Sequence, residues 1–368
     1  MTSRILKISG WLAAAASIAL LPCGARVTAA QDAPAPYHIY VSNEHSGDVT
    51  IIRGGDFQVL ATIPVGKRPR GIHAAPDGRS VFVALSGTPI EPPPQLDEHG
   101  NPILKKYNKD DDDEHAEKAD KTADGIGVVD VAQKKFLRKI SAGSDPEEFA
   151  LSPDGKQLYI SNEDVGAASV LNIETGKVEH IIVVNREPEG VAASPDGKTF
   201  FVTCETGGEI FAIDAHTYKT LGRVKVNPRP RSIAFLPDGS RAFAPSESVG
   251  ELNVIDPATF TVVKVIKLPE HTRPMKVLVS PDGKTAYVSG GRSGTVVALD
   301  TSSYEVKAVI PVGKRPWGLA ISPDGHYLFS ANGPSNDVSV VDLSSNKEVT
   351  RVKAGDSPWG IVIVPNPH

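Results

Sequence analysis

The sequence predicts an all-β fold, a seven-bladed β-propeller of four-stranded antiparallel blades whose last blade is closed by both termini. Three observations predict it. Prolines recur at a period of 42 residues. Runs of β-branched and aromatic residues alternate with turn signals inside each period. The two chain ends carry complementary halves of one repeat unit.

The period is read from Pro-Asp-Gly triplets at Pro76, Pro153, Pro195, Pro237, Pro281 and Pro323, spaced 77, 42, 42, 44 and 42 residues apart. Seven residues before each stands another proline, namely Pro69, Pro146, Pro188, Pro230, Pro274 and Pro316. A seventh copy runs from Pro358-Trp359-Gly360 to a degenerate Pro365-Asn366. The long first step is one unit plus 35 extra residues, so the chain holds seven units.

Within a unit, the proline leads a short apolar strand such as Gly318-Leu319-Ala320-Ile321. The Pro-Asp-Gly turn follows, where Pro and Gly suit the bend and Asp bonds its own backbone. A second strand reads Leu158-Tyr159-Ile160-Ser161-Asn162, a third ends in Asp (Asp256, Asp300, Asp342), and a fourth alternates, as at Val306, Ala308 and Ile310. Four short strands per repeat make a propeller blade. The chain opens at Ile39-Tyr40-Val41-Ser42-Asn43, a second strand, and closes at Gly360-Ile361-Val362-Ile363-Val364, a first strand. One blade built from both ends leaves the ring without an open seam.

These units resemble the YVTN-type β-propeller repeat family. The resemblance lies in Tyr159-Ile160-Ser161-Asn162, Tyr287-Val288-Ser289 and Tyr40-Val41-Ser42-Asn43 with their Ser-Pro-Asp-Gly turns, over residues 37–365 apart from the insertion. The whole chain also resembles the exported seven-repeat propellers associated with pyrroloquinoline-quinone-dependent (PQQ) catabolism of alcohols. That resemblance implies a periplasmic accessory role beside quinoprotein dehydrogenases and a transport system. It does not imply that this chain binds the quinone.

Residues 1–30 read as a secretory signal peptide. Arg4 and Lys7 precede the apolar run Ile8 to Leu21, and Thr28-Ala29-Ala30 precede Gln31. Pro22 stands before Cys23, where lipoprotein processing wants a small residue. Cleavage after Ala30 leaves a single propeller domain over 31–368, periplasmic, monomeric and without a membrane span. It removes Arg4, Lys7 and Arg26 but no acid, so the formal charge moves from −5 to −8. Such a chain offers nucleic acid no basic surface. Cys204 is then the one remaining cysteine, which excludes an intramolecular disulfide, a haem attachment pair and a paired-Cys metal site. No cofactor is expected.

If the first strand of each unit is innermost, the prolines and the ends of the second strands share one face. The residues after the prolines are Arg70, Glu147, Glu189, Arg231, Met275, Trp317 and Trp359, and those before include Arg68, Asp145 and Arg315. Second-strand ends add Asn43, Glu44, His45, Asn162, Glu163, Asp164, Glu205, Glu247 and Asn332. Varied residues on a repeated scaffold suit a recognition surface. The predicted site comprises Arg70, Glu147, Glu189, Arg231, Met275, Trp317, Trp359, Arg68, Arg315 and His45. The tryptophan pair is expected at its centre, positive charge beside it from Arg315, Arg70 and Arg231, and negative charge across the ring.

Residues 87–123 form an acidic, Pro-rich insertion on the same face, from Pro89-Ile90-Glu91-Pro92-Pro93-Pro94 to Asp110-Asp111-Asp112-Asp113-Glu114-His115. It reads as a solvated charge run. A lid drawn down by Arg68, Arg70 and Arg231, or a divalent-cation site using Asp110 to Asp113 with His99 or His115, are its other readings.

The chain lacks Gly-x-Ser-x-Gly, His-Glu-x-x-His and a phosphate loop. Binding is therefore expected over catalysis, with a periplasmic protein partner or a small polar or aromatic ligand. The alternative is a propeller enzyme of lactonase-like or cofactor-holding redox type, its polar cluster drawn from Glu147, Glu189, Arg231 and His45. His73, on an inner strand, and Cys204, read as a buried filler, are two further residues of note.

Overall fold

The computed structural model describes residues 1, 37–90 and 118–366. The signal peptide, Cys23, and the insertion's His99, Asp110 to Asp113 and His115 lie outside the described residues. The rest forms seven four-stranded antiparallel sheets. Blade one begins at Ile72–Ala74, blade two at Pro146–Leu151, blade three at Pro188–Ala193, and blade four at Ala234–Phe235. Blades five and six begin at Pro274–Val279 and Pro316–Ile321. Blade seven joins Pro358–Pro365 to Tyr37–Asn43, pairing Val41 with Ile361 and Ile39 with Ile363.

The core lies between blades. Each of seven apolar clusters fills one junction. Phe82 packs with Phe149 between blades one and two, and Tyr159 stacks on Phe200 at 4.1 Å between two and three. Tyr40 and Val49 meet Ile72 and Val83 where blade seven meets blade one. The ring is thus closed by side-chain packing as well as by the composite blade.

The Ser or Thr of the second strand explains its motif. Ser161 Oγ accepts from the Glu148 amide of its own blade at 3.1 Å and donates to the Glu189 carbonyl of the next at 2.6 Å. Ser42 links Gly360 to Arg70 in the same way, and Ser289 links Lys276 to Trp317. Blade four has Pro245 at that position. Ser232, on its inner side, supplies the hydroxyl instead, bonding Met275 O and Val277 N. The inner strands approach closely here: a Cβ on Gly360 would lie 2.5 Å from the Arg70 carbonyl oxygen.

The prolines pair with second-strand ends, as Pro146 with Asn162 and Pro316 with Asn332. The expected shared face is therefore formed. All seven residues before these prolines (Arg68, Asp145, Glu187, Arg229, Arg273, Arg315, Ser357) have φ between 42° and 63°. Strain of this kind often marks a functional site. Repeated in every blade, it belongs to the scaffold.

Candidate functional site

A cavity of about 340 Å³ opens over the central channel. One wall is apolar, built from Trp317, Trp359, Leu319, Ile361 and Leu278. The rest of the lining carries His73, Glu147, Glu148, Glu189, Arg231 and Lys276. Trp317 and Trp359 stack on each other, ring centroids 5.3 Å apart at 23°. Arg231 and Arg315 lie over the Trp317 ring at 5.6 and 5.2 Å, a cation–π arrangement.

Of the predicted residues, Glu147, Glu189, Arg231, Met275, Trp317 and Trp359 line this cavity, and Arg315 backs the indole. Arg70, Arg68 and His45 do not line it. Arg70 is sealed at a blade junction, its side chain 3% exposed against Asp145 and Glu147. Arg68 pairs with Glu44 at 3.0 Å, and exposed His45 sits 4.0 Å from Asp356. Asn43 and Asn332 are buried strand-end locks bonding Thr50 and Ser339, while Asn162 bonds the Ala142 carbonyl.

The expected segregation of charge is also corrected. Arg70, of blade one, meets Asp145, Glu147 and Glu163 of blade two. Arg231, of blade four, meets Glu189 and Glu205 of blade three and Glu247 of its own blade. Cations and acids interlock across junctions because adjacent blades bring the residue after one proline beside the strand ends of the next. Among the described residues of the insertion, Arg68 reaches the Thr88 carbonyl at 2.9 Å and Lys67 pairs with Asp120 at 3.0 Å, while this pairing occupies Arg70 and Arg231.

Each guanidinium gathers more carboxylates than it can neutralise. Burial pushes Glu147 and Glu189 well above the usual carboxylate range, against the pull of Arg70 and Arg231 respectively. Burial raises Glu163 and Glu205 too. Like charges crowded on one site leave a proton behind.

Glu148 behaves in the opposite way. Burial would raise it, but Lys276 and His73 hold it down to about 2. Lys276 Nζ reaches Glu148 Oε2 at 2.6 Å, and His73 Nε2 lies 2.8 Å from Oε1. Blades two and five are not neighbours, so this pair spans the central channel. His73 was noted in the sequence, whereas Glu148 and Lys276 were missed. Their signal is the second residue after each proline: Gly71, Glu148, Gly190, Ser232, Lys276, Gly318, Gly360. Small side chains leave room for the two charged ones to meet. Cys204 is fully buried, and burial pushes its thiol up to about 12, in keeping with a filler.

A family model described as "Lactonase, 7-bladed beta-propeller" matches residues 190–355, less than half of the chain. Antigen Lp49 of Leptospira interrogans is 28% identical over 138 residues, covering 33% of this chain and 30% of its own length. The match therefore spans under a third of that relative. Among solved structures, the Pseudomonas aeruginosa periplasmic gluconolactonase is similar at TM-score 0.67 and 20% identity, over 90% of this chain and 99% of its own. Kuenenia stuttgartiensis hydrazine synthase is similar at TM-score 0.65 and 21% identity, over 81% and 95%. A functionally unknown protein from Desulfotomaculum acetoxidans reaches TM-score 0.71 at 14% identity, over 90% and 99%. These likenesses establish the fold, and the chain is a seven-bladed β-propeller carrying a partial match to the lactonase type.

Proposed function

We propose that the chain binds a small cyclic ester in the central cavity and opens it by hydrolysis. The observation that carries this reading is the cavity, which pairs a stacked-indole wall with a wall of acids and cations. Its volume of about 340 Å³ lies within the range of small-molecule sites. A lactone offers a compact ring to Trp317 and Trp359. Its carbonyl oxygen gains negative charge as water attacks, and Lys276 and Arg231 supply positive charge within the same cavity. The partial lactonase match and the gluconolactonase likeness support the same class.

They support it better than the accessory role beside quinoprotein dehydrogenases. A protein-docking anchor presents its aromatics to solvent, whereas here both tryptophans face into a cavity. With the leader expected over residues 1–30, the reaction belongs to the periplasm.

The test is a panel of γ- and δ-lactones, polyhydroxylated and alkyl-substituted, followed by acid release above the uncatalysed rate. Saturable turnover of one ring class is expected. Trp317→Ala weakens its apparent binding about 30-fold, for about 2 kcal/mol of lost anchor contact, with little change in melting. No turnover of any lactone overturns the reading.

A further inference from the structure

We propose that Glu189, backed by Glu205 and positioned by Arg231, is the proton-exchanging group of the central cavity. The inference rests on the hydrolytic reading for its chemistry, but its geometry stands apart from it. Glu189 Oε1 and Glu205 Oε1 are both held by the same atom, Arg231 Nη1. Two carboxyl groups on one nitrogen are close enough to share a proton between them. Glu189 Oε2 has no hydrogen-bond partner, although its side chain is only 6% exposed and the residue lines the cavity. A buried acceptor left unmatched beside a cavity is a site awaiting a donor.

In the sister cluster Glu147 Oε2 is likewise without a hydrogen-bond partner, but the arginine it pairs with, Arg70, does not line the cavity. Arg231 does line it, and it also lies over Trp317. The carboxyl pair is therefore fixed to the aromatic wall.

Every neighbouring element contributes charge to this pair. Blade two brings Glu147 and blade three brings Glu187. Blade four brings Glu247 and Arg229, whose Nη2 lies 3.2 Å from Glu205 Oε2. Burial is the main cause and the acids that outnumber cations around the pair add to it, so Glu189 keeps its proton beyond the usual range.

The step balances without a further reactant. In the ionised form of the pair, the water oxygen bonds to the lactone carbonyl carbon as Glu189 Oε2 takes one proton from that water. The ring carbon–oxygen bond then breaks, and the same carboxyl returns a proton to the ring oxygen. Lactone and water become a hydroxy acid. Glu189 is thus the catalytic residue, while Glu205 and Arg231 act through it as positioning residues.

Trp317 and Trp359 are the only tryptophans beyond residue 30, so the full chain with Trp11→Phe reports on this wall by its fluorescence. Titration is expected to show a transition well above the ordinary carboxylate range of about 4–5. Glu189→Gln removes it, and Glu205→Gln moves it downward. On a turned-over lactone, Glu189→Gln lowers kcat/KM at least about 100-fold. Glu205→Gln shifts the pH profile with a smaller loss. Circular dichroism establishes that each variant is folded, and Glu205→Gln carries the test if Glu189→Gln is not.

A transition absent from the parent chain, or unchanged in Glu189→Gln, overturns the proposal. A transition that Glu189→Gln abolishes, without turnover of any lactone, supports the proton-sharing pair and overturns only the hydrolytic reading.

Discussion

At the residue scale, a single hydroxyl links the backbones of adjacent blades at four of the seven junctions, through Ser42, Ser161, Ser232 and Ser289. Ser161 is fully buried and serves two backbone groups on two blades, the Glu148 amide and the Glu189 carbonyl. Replacing it by Ala strands both in a dry junction. Each unmatched group costs about 1–3 kcal/mol. Ser161→Ala is therefore expected to destabilise the protein by about 2–4 kcal/mol in urea unfolding, whereas Ser161→Thr keeps the oxygen and loses far less. A loss below about 0.5 kcal/mol for the alanine variant shows that the staple is not energetically used. The same residues hold Glu148 and Glu189 in register, so the motif that names the repeat also positions the cavity's acids.

At the element scale, the closing strand Pro358–Pro365 decides whether the ring exists. It pairs with Tyr37–Asn43, and Ile361 packs into the cluster shared with blade six. Removing residues 360–368 unpairs that strand and opens two blade faces. Exposed strand edges of this kind associate with other chains. The truncated protein is expected to aggregate. A monomeric product with an unchanged melt would refute the composite blade.

This closure was legible because each half of the blade repeats a pattern printed six times elsewhere in the chain. The proline face was legible for the same reason: register carries over from strand to strand. The charge pairing was not. Arg70 meets Asp145 across 75 residues of sequence and Lys276 meets Glu148 across 128, so spacing along the chain says nothing of either contact. Side-chain reach across a junction or a channel decides them. A residue such as Arg70 is charged in the sequence and sealed in the fold, and only packing tells these apart.

At the scale of the whole molecule, the buried acids fall into two groups that pull stability in opposite directions with pH. Glu147, Glu163, Glu189 and Glu205 are raised by burial. The folded chain then holds protons that the unfolded chain has released, so stability falls as pH rises from about 4–5 through the raised native values. Glu148, despite its burial, is held by Lys276 and His73 down to about 2, and Asp145 is lowered chiefly by Arg70 against its own burial. Their contribution is complete above the unfolded values and is lost as pH falls through the lowered native ones. Turn aspartates such as Asp154, Asp196 and Asp282, lowered by hydrogen bonds from Ser152, Ser194 and Ser280, act in the same sense. The two limbs cross at mildly acidic pH, where the melting temperature is expected to peak. Glu189→Gln replaces a group whose ionisation opposes folding by a neutral one of the same shape. It should flatten the alkaline limb while leaving the acid limb in place. Melting curves from pH 3 to 9 for the parent and this variant decide the matter. A parent curve that keeps rising to pH 8, or an alkaline limb unchanged in the variant, would show that the buried acids are fully ionised and that the arginines alone compensate them.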